Sequence, residues 1–134
     1  MYKTLKSKQI KKDINTRKDI ELLVDEFYQK VKVDETLGPV FTEIARINWE
    51  KHLPLMCDFW ENAILFTGSY QGNPMDLHLH LHKAMPLLSI HFQKWNQLFI
   101  NTVDGLFKGE KALLAKQRAL KISEVLQSKI LDHK

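Results

Sequence analysis

The sequence predicts an all-α fold in one domain of 134 residues. In four long segments, apolar residues recur at spacings of three and four, which is typical of helices with one buried face. No stretch alternates apolar and polar residues as a half-exposed strand would, and glycine and proline mark the breaks between segments. The hydrophobic fraction of 44% is enough for one core without disulfides, and the single Cys57 cannot form an internal one.

The first helix is expected over residues 19–33, with Asn15 or Thr16 as its cap. Residues 34–39 end it, because glycine releases the chain and proline withholds a backbone donor. A turn and a short helix through Phe41 should follow. The apolar face of the first helix consists of Ile20, Leu23, Val24, Phe27, Tyr28 and Val31.

A second helix is predicted over residues 48–66, and Pro54 is the one discordant residue in it. Either the helix begins near Pro54 or it is kinked just after His52. Residues 68–83 follow as an irregular stretch that holds most of the histidines. The apolar side of this helix includes Trp49, His52, Leu53, Met56, Phe59 and Trp60.

Two further helices complete the chain, one after Pro86 that ends near Phe107 and one over residues 110–131. The first of them carries His91, Phe92, Trp95 and Phe99 on its apolar side. Helices of this number and length are expected to cross and pack in pairs around one core.

Charge divides the chain into a basic leader at residues 1–18 and a nearly neutral domain at residues 19–134. We expect the leader to be flexible or to form a short helix. The leader holds seven Lys or Arg and one Asp, whereas the net charge of the chain is +4. A basic tail without interleaved aromatics is more typical of a solubilising segment than of a nucleic-acid-binding arm. No apolar run approaches the roughly 20 residues of a membrane span, and no secretory cleavage pattern is present. We therefore expect a cytoplasmic protein without nucleic-acid or membrane partners.

Four polar-tipped side chains, Tyr28, His52, His78 and Trp95, are expected to point toward a common interior. Each alone has an ordinary explanation, such as a core histidine bonded to a carbonyl or a buried ring with its polar tip in water. Together they are unusual, because a helical core rarely holds so many ring N–H and O–H groups without a partner for them. One loop histidine below and Tyr, His and Trp donors above suit haem iron between apolar walls.

Two other functions remain open. The spacing of His78, His80 and His82 could chelate zinc, which would fit a histidine-ligated metal hydrolase of helical-bundle type. However, the nearby carboxylates Asp76, Asp58 and Glu61 form no HExxH or Glu-x-x-His pattern with them. A nucleic-acid module with a basic tail is the second alternative.

The chain resembles the group III truncated haemoglobins from about residue 19 to the last helix. The matching stretches are FYQKV, LGPVF, WEKH, FW at residues 59–60, YQGNPMDLH and HFQKW followed by LF, in that order. The resemblance implies a shortened globin, a two-over-two helical sandwich around haem b. It also implies that no Gly-Gly pairs need occur, and this sequence has none.

The resemblance also implies roles for single residues. His78 would be the proximal iron ligand, and the phase of the Gly-x-Pro-x-x-x-His stretch favours it over the rival His82. Tyr28 and Trp95 would be distal hydrogen-bond donors and His52 a distal gate. The remaining cofactor contacts would be Phe27, Phe41, Leu53, Met56 and Phe59.

The chemistry expected from this arrangement is binding of O2, NO, CO or peroxide at the sixth iron position. Donors in a water-poor site should retain a polarised ligand strongly. Strong retention argues against oxygen delivery. It favours redox chemistry on the ligand, such as NO dioxygenation or peroxide reduction, with an electron-donating reductase as partner.

Overall fold

The computed structural model describes residues 11–46, 49–67 and 87–132, and over these residues it contains helices and no strand. The all-α prediction is therefore confirmed. None of the described helices is both long and apolar enough to cross a bilayer. The helices are α1 (Arg17–Val33), α2 (Gly38–Arg46), α3 (Trp49–Leu65), α4 (Ser89–Leu106) and α5 (Glu110–Asp132).

Helix α1 begins with a capping box, as the sequence allowed. The Thr16 side chain accepts a hydrogen bond from the Asp19 backbone N–H, and the Asp19 carboxylate accepts one from the Thr16 N–H. The same carboxylate also accepts from the Asn15 N–H and from Lys12 Nζ. Donors at the start of a helix have no partner within the helix, so these bonds define where α1 starts.

Asp34 is the C-cap of α1 and stabilises the turn that leads into α2. Its Oδ2 accepts hydrogen bonds from the backbone N–H groups of Thr36 and Leu37, each at 3.0 Å. Aspartate commonly stabilises a turn in this way. The short helix predicted through Phe41 follows as α2, which places Phe41 beside α1.

Pro54 lies inside α3, so the alternative in which this helix begins near Pro54 is wrong. The proline is the sixth residue of the helix, where it removes one backbone hydrogen bond, the one to the Glu50 carbonyl. Helix α3 tolerates this loss because its apolar face is packed on the core. Cys57, Trp60 and Ile64 on that face are all buried.

Four of the described helices form two packed pairs, and the short α2 packs against α1 and α3. Helix α1 packs against α3 and α5 packs against α4, while contacts of α1 with α4 and of α3 with α5 join the two pairs. Aromatic rings fill the centre: Phe99 of α4 stacks on Trp60 at a centroid distance of 4.7 Å and on Trp95 at 5.5 Å. Offset and edge-on ring pairs of this kind stabilise a core beyond their area.

The part of the predicted leader that the structure describes packs against the rest of the chain. Ile14 is fully buried, and the Asp13 carboxylate accepts hydrogen bonds from the backbone N–H groups of Lys111 and Ala112 at the start of α5. Residues 1–10 lie outside the described residues. The boundary after residue 18 stays a prediction.

Candidate functional site

Tyr28 lies at the centre of the candidate site. It projects from α1 into the core and is 7% exposed. Its hydroxyl donates a hydrogen bond to the Met56 thioether on α3, with Oη and Sδ 3.2 Å apart. It also bonds to the Trp95 side chain on α4. Because the indole has only an N–H donor, the Tyr28 oxygen is the acceptor in that second bond.

Burial gives Tyr28 a fixed protonation state. Desolvation raises the pKa of its hydroxyl well above the ordinary value of a tyrosine, and the opposing hydrogen bond from Trp95 does not outweigh it. The phenol therefore keeps its proton at any physiological pH. It can act as a hydrogen-bond donor but not as a base.

Two other aromatic rings lie beside the phenol ring of Tyr28. Phe27 meets it edge to face at 4.7 Å, and the Phe41 ring lies 6.4 Å away on α2. Phe27 also meets Trp95 edge to face at 5.5 Å. The site thus combines apolar walls with two polar tips, the phenol of Tyr28 and the indole N–H of Trp95.

The other predicted wall residues lie where the helical spacing put them. Phe27 belongs to the buried core, while five partly buried residues pack against that core from α2, α3 and α4. These residues of α1, α2, α3 and α4 thus belong to the core or pack against it, and their role as walls of a cofactor site stays a prediction. The five are Phe41, Leu53, Met56, Phe59 and Trp95.

The structure describes the candidate histidines to different extents. His52 lies in α3, one helical turn before Met56, and only its backbone is described. His78 and its rival His82 lie outside the described residues, so the proximal ligand stays a prediction. His91 has a structural role, because its Nδ1 accepts a hydrogen bond of 2.8 Å from the Leu88 N–H at the start of α4.

Two of the three carboxylates considered for a metal site are engaged elsewhere, and the third, Asp76, lies outside the described residues. Asp58 and Glu61 both accept hydrogen bonds from Arg17 Nη1, at 2.6 Å and 2.8 Å, and so tie α3 to the start of α1. These bonds raise the pKa of Arg17 above its ordinary value. Within residues 11–46, 49–67 and 87–132, no group of three or more His, Cys, Asp or Glu side chains could hold a metal ion.

Sequence patterns did not reveal what Met56 does. Its spacing from His52 placed it on the inner face of α3, but only as an apolar wall. The hydrogen bond from Tyr28 joins residues 28 positions apart. No local pattern reports such a pairing, because it depends on how α1 and α3 cross.

Comparison with known proteins gives a consistent result. No model of a protein family matches the chain. The group 3 truncated hemoglobin ctb of Campylobacter jejuni is 28% identical over 120 residues, which cover 87% of this chain and 92% of that protein. The crystal structure of a group III truncated hemoglobin from Campylobacter jejuni has a TM-score of 0.77 to this fold, at 28% identity, and the match covers 90% of this chain and 95% of that one.

The resemblance to group III truncated haemoglobins is confirmed. The predicted globin fold is confirmed with it, since the match extends over nearly all of both chains. A truncated-haemoglobin relationship of this extent supports a globin-type haem-binding protein. The roles assigned above to individual residues stay predictions.

Proposed function

We propose that this chain binds haem b beside Tyr28 and Trp95 and uses it to bind small ligands such as O2, NO, CO or peroxide. The observation that supports this most directly is the pair of polar tips within aromatic walls, the buried phenol of Tyr28 and the partly buried indole of Trp95, on a fold similar to that of a truncated haemoglobin. These residues fit a flat apolar macrocycle with one polar reaction centre. When bound, the haem supplies an iron that takes a ligand at its sixth position.

His78 is the residue that we propose as the proximal iron ligand, through a neutral imidazole. His82 is the alternative. The variants H78A and H82A form a matched pair, since each removes one imidazole from the same stretch of sequence. We expect H78A to be purified with little haem and to regain a haem spectrum when imidazole is added, while H82A keeps its haem. The reverse result would assign the ligand to His82.

The distal residues have two proposed roles, hydrogen bonding to the ligand and control of its access. Tyr28 and Trp95 donate hydrogen bonds toward the ligand, and the apolar walls exclude water that would compete for those donors. His52 acts as a gate on the same face of α3 as Met56. If the spectrum of the ferric protein shows two histidine ligands, and H52A loses that signature, then His52 ligates the iron directly and does not act as a gate.

Ligand retention by two donors favours redox chemistry over oxygen delivery. We propose removal of NO or of peroxide in the cytoplasm, with electrons supplied by a reductase. The test is consumption of NO by the ferrous protein in the presence of O2, with nitrate measured as product, beside peroxide consumption with an artificial electron donor. Slow turnover of both substrates, together with rapid O2 release, would favour transport instead.

Spectra of the purified protein decide between this proposal and a metal hydrolase. Ferric, ferrous and CO-treated samples should give the absorption bands of a haem protein, and metal analysis should find iron. Zinc without iron would contradict the proposal.

A further inference from the structure

We propose that Met56 is a positioning residue that sets the resting direction of the Tyr28 hydroxyl and makes the site select ligands by their strength as hydrogen-bond acceptors. This inference rests on the proposed function, because it concerns the same site. It gives Met56 a role beyond that of an apolar wall.

The geometry connects three side chains from three helices in series. The Trp95 indole donates to the Tyr28 oxygen, and the Tyr28 hydroxyl donates to Met56 Sδ at 3.2 Å. Both donors therefore have a protein partner in the described structure. A ligand that uses the Tyr28 proton must take it from the thioether.

The chemistry of sulphur makes this exchange selective. A buried hydroxyl without an acceptor is unfavourable, so Tyr28 turns toward the acceptor that α3 offers. A thioether is only a weak acceptor. A ligand atom with partial negative charge can therefore replace it, whereas CO, a poor acceptor, gains little from the exchange. A bound ligand must therefore compete with Met56 for the Tyr28 proton, and O2 competes better than CO.

Helix packing keeps the acceptor in place. Arg17 ties α1 to α3 through Asp58, the second residue after Met56 along α3, and through Glu61. Tyr28 is in the same α1 helix as Arg17. These ion pairs therefore join the two helices that carry Tyr28 and Met56.

The experiment compares O2 and CO equilibrium binding and the C–O stretching frequency in the CO-treated protein. The proteins are wild type, M56L, Y28F and the double variant Y28F/M56L. Leucine keeps a similar volume but removes the acceptor. We expect M56L to bind O2 between about twofold and tenfold more tightly, the range given by the net strength of one hydrogen bond. CO affinity should change less, and the C–O frequency should fall because the freed hydroxyl turns toward the ligand.

The double variant provides the control, since Tyr28 is needed for the effect. In the Y28F background, M56L should change neither the O2 affinity nor the C–O frequency. Equal effects of M56L in both backgrounds would overturn the proposal, because they would show that only packing had changed.

Norleucine gives a second and gentler substitution, because it replaces the methionine sulphur by a methylene. Incorporated throughout the wild-type chain, which has four methionines, it should reproduce the M56L effect. Incorporated into M56L, where the other three methionines remain, it should have no further effect. A shift of similar size in M56L would also overturn the proposal.

Failure of the proposed function would be recognised separately, since no variant would then show haem bands. In that case the hydrogen bond between Tyr28 and Met56 would be tested in the same full-length protein by NMR of 13C-methyl methionine. The Met56 signal would be assigned from its loss in M56L. A shift of that signal in Y28F would support the Tyr28 to Met56 bond. An unchanged signal would overturn it.

Discussion

Tyr28 combines two properties that rarely occur together at one residue, near-complete burial and a polar tip with partners on two other helices. Burial holds the pKa of the phenol high, so the proton is available to share but not to release. The donor role of Tyr28 is therefore constant over the whole physiological pH range.

Removal of this hydroxyl should be seen in ligand kinetics. In Y28F we expect O2 to dissociate at least about tenfold faster, which corresponds to about 1.4 kcal/mol of lost stabilisation. Stopped-flow measurement of O2 release is the appropriate assay, and CO release, which depends less on hydrogen bonding, is the internal control. An unchanged O2 release rate would count against the donor role.

Helical periodicity predicted the individual residues of the site only in part. Tyr28 and Trp95 could be placed because each lies on the inner face of a strongly amphipathic segment. The partnership of Tyr28 with Met56 could not, since it depends on the crossing of α1 and α3. The residues that the prediction placed below the iron, His78 and His82, lie outside the described residues.

At the scale of secondary structure, helix boundaries followed from local chemistry, because caps and breakers act over a few residues. Thr16 and Asp34 illustrate this at the two ends of α1. The start of α5 is different, since its cap comes from the other end of the chain. The Asp13 carboxylate binds the backbone N–H groups of Lys111 and Ala112. Sequence separation hid this contact from any local pattern.

Gly109 makes that long-range cap possible. Its φ of +146° is rarely adopted by other residues, and a Cβ there would lie 2.7 Å from Asp13 Oδ2. We expect G109A to lower the free energy of unfolding by about 1 to 3 kcal/mol. The matched control is G105A in the last turn of α4, where an added Cβ would meet no atom within 4 Å apart from those of its chain neighbours and its own helix backbone. That variant should instead stabilise the protein by about 0.5 to 1 kcal/mol. Urea unfolding of both variants tests the contrast, and equal effects would contradict it.

At the scale of the whole molecule, acid stability depends on two carboxylates near the start of the described chain. Burial alone would raise the pKa of Asp19, but the Lys12 ammonium and the N–H groups of Asn15 and Thr16 outweigh it, so the pKa is lowered. Burial of Asp13 is likewise outweighed by its backbone donors at Lys111, Ile14 and Ala112.

These lowered pKa values predict the direction of the pH dependence. A carboxylate with a lower pKa in the folded state binds fewer protons there than in the unfolded chain, so its stabilisation is present above the ordinary value of 3.8 and is lost as the pH falls through the folded value. We expect the free energy of unfolding to decrease below about pH 4. D19N should be less stable at pH 7 and should lose less on acidification, whereas D25N, at an exposed position of α1, should change the stability at pH 7 little.

The contact between Asp13 and α5 has a consequence for how folding can be observed. Its hydrogen bonds span 98 and 99 residues, so the amide protons of Lys111 and Ala112 exchange slowly with solvent only while the segment around Ile14 is docked. Those two amides therefore act as a reporter for the opposite end of the chain. A fusion partner or truncation that disturbs docking near residue 13 would be detected there by hydrogen exchange, before any change at Tyr28.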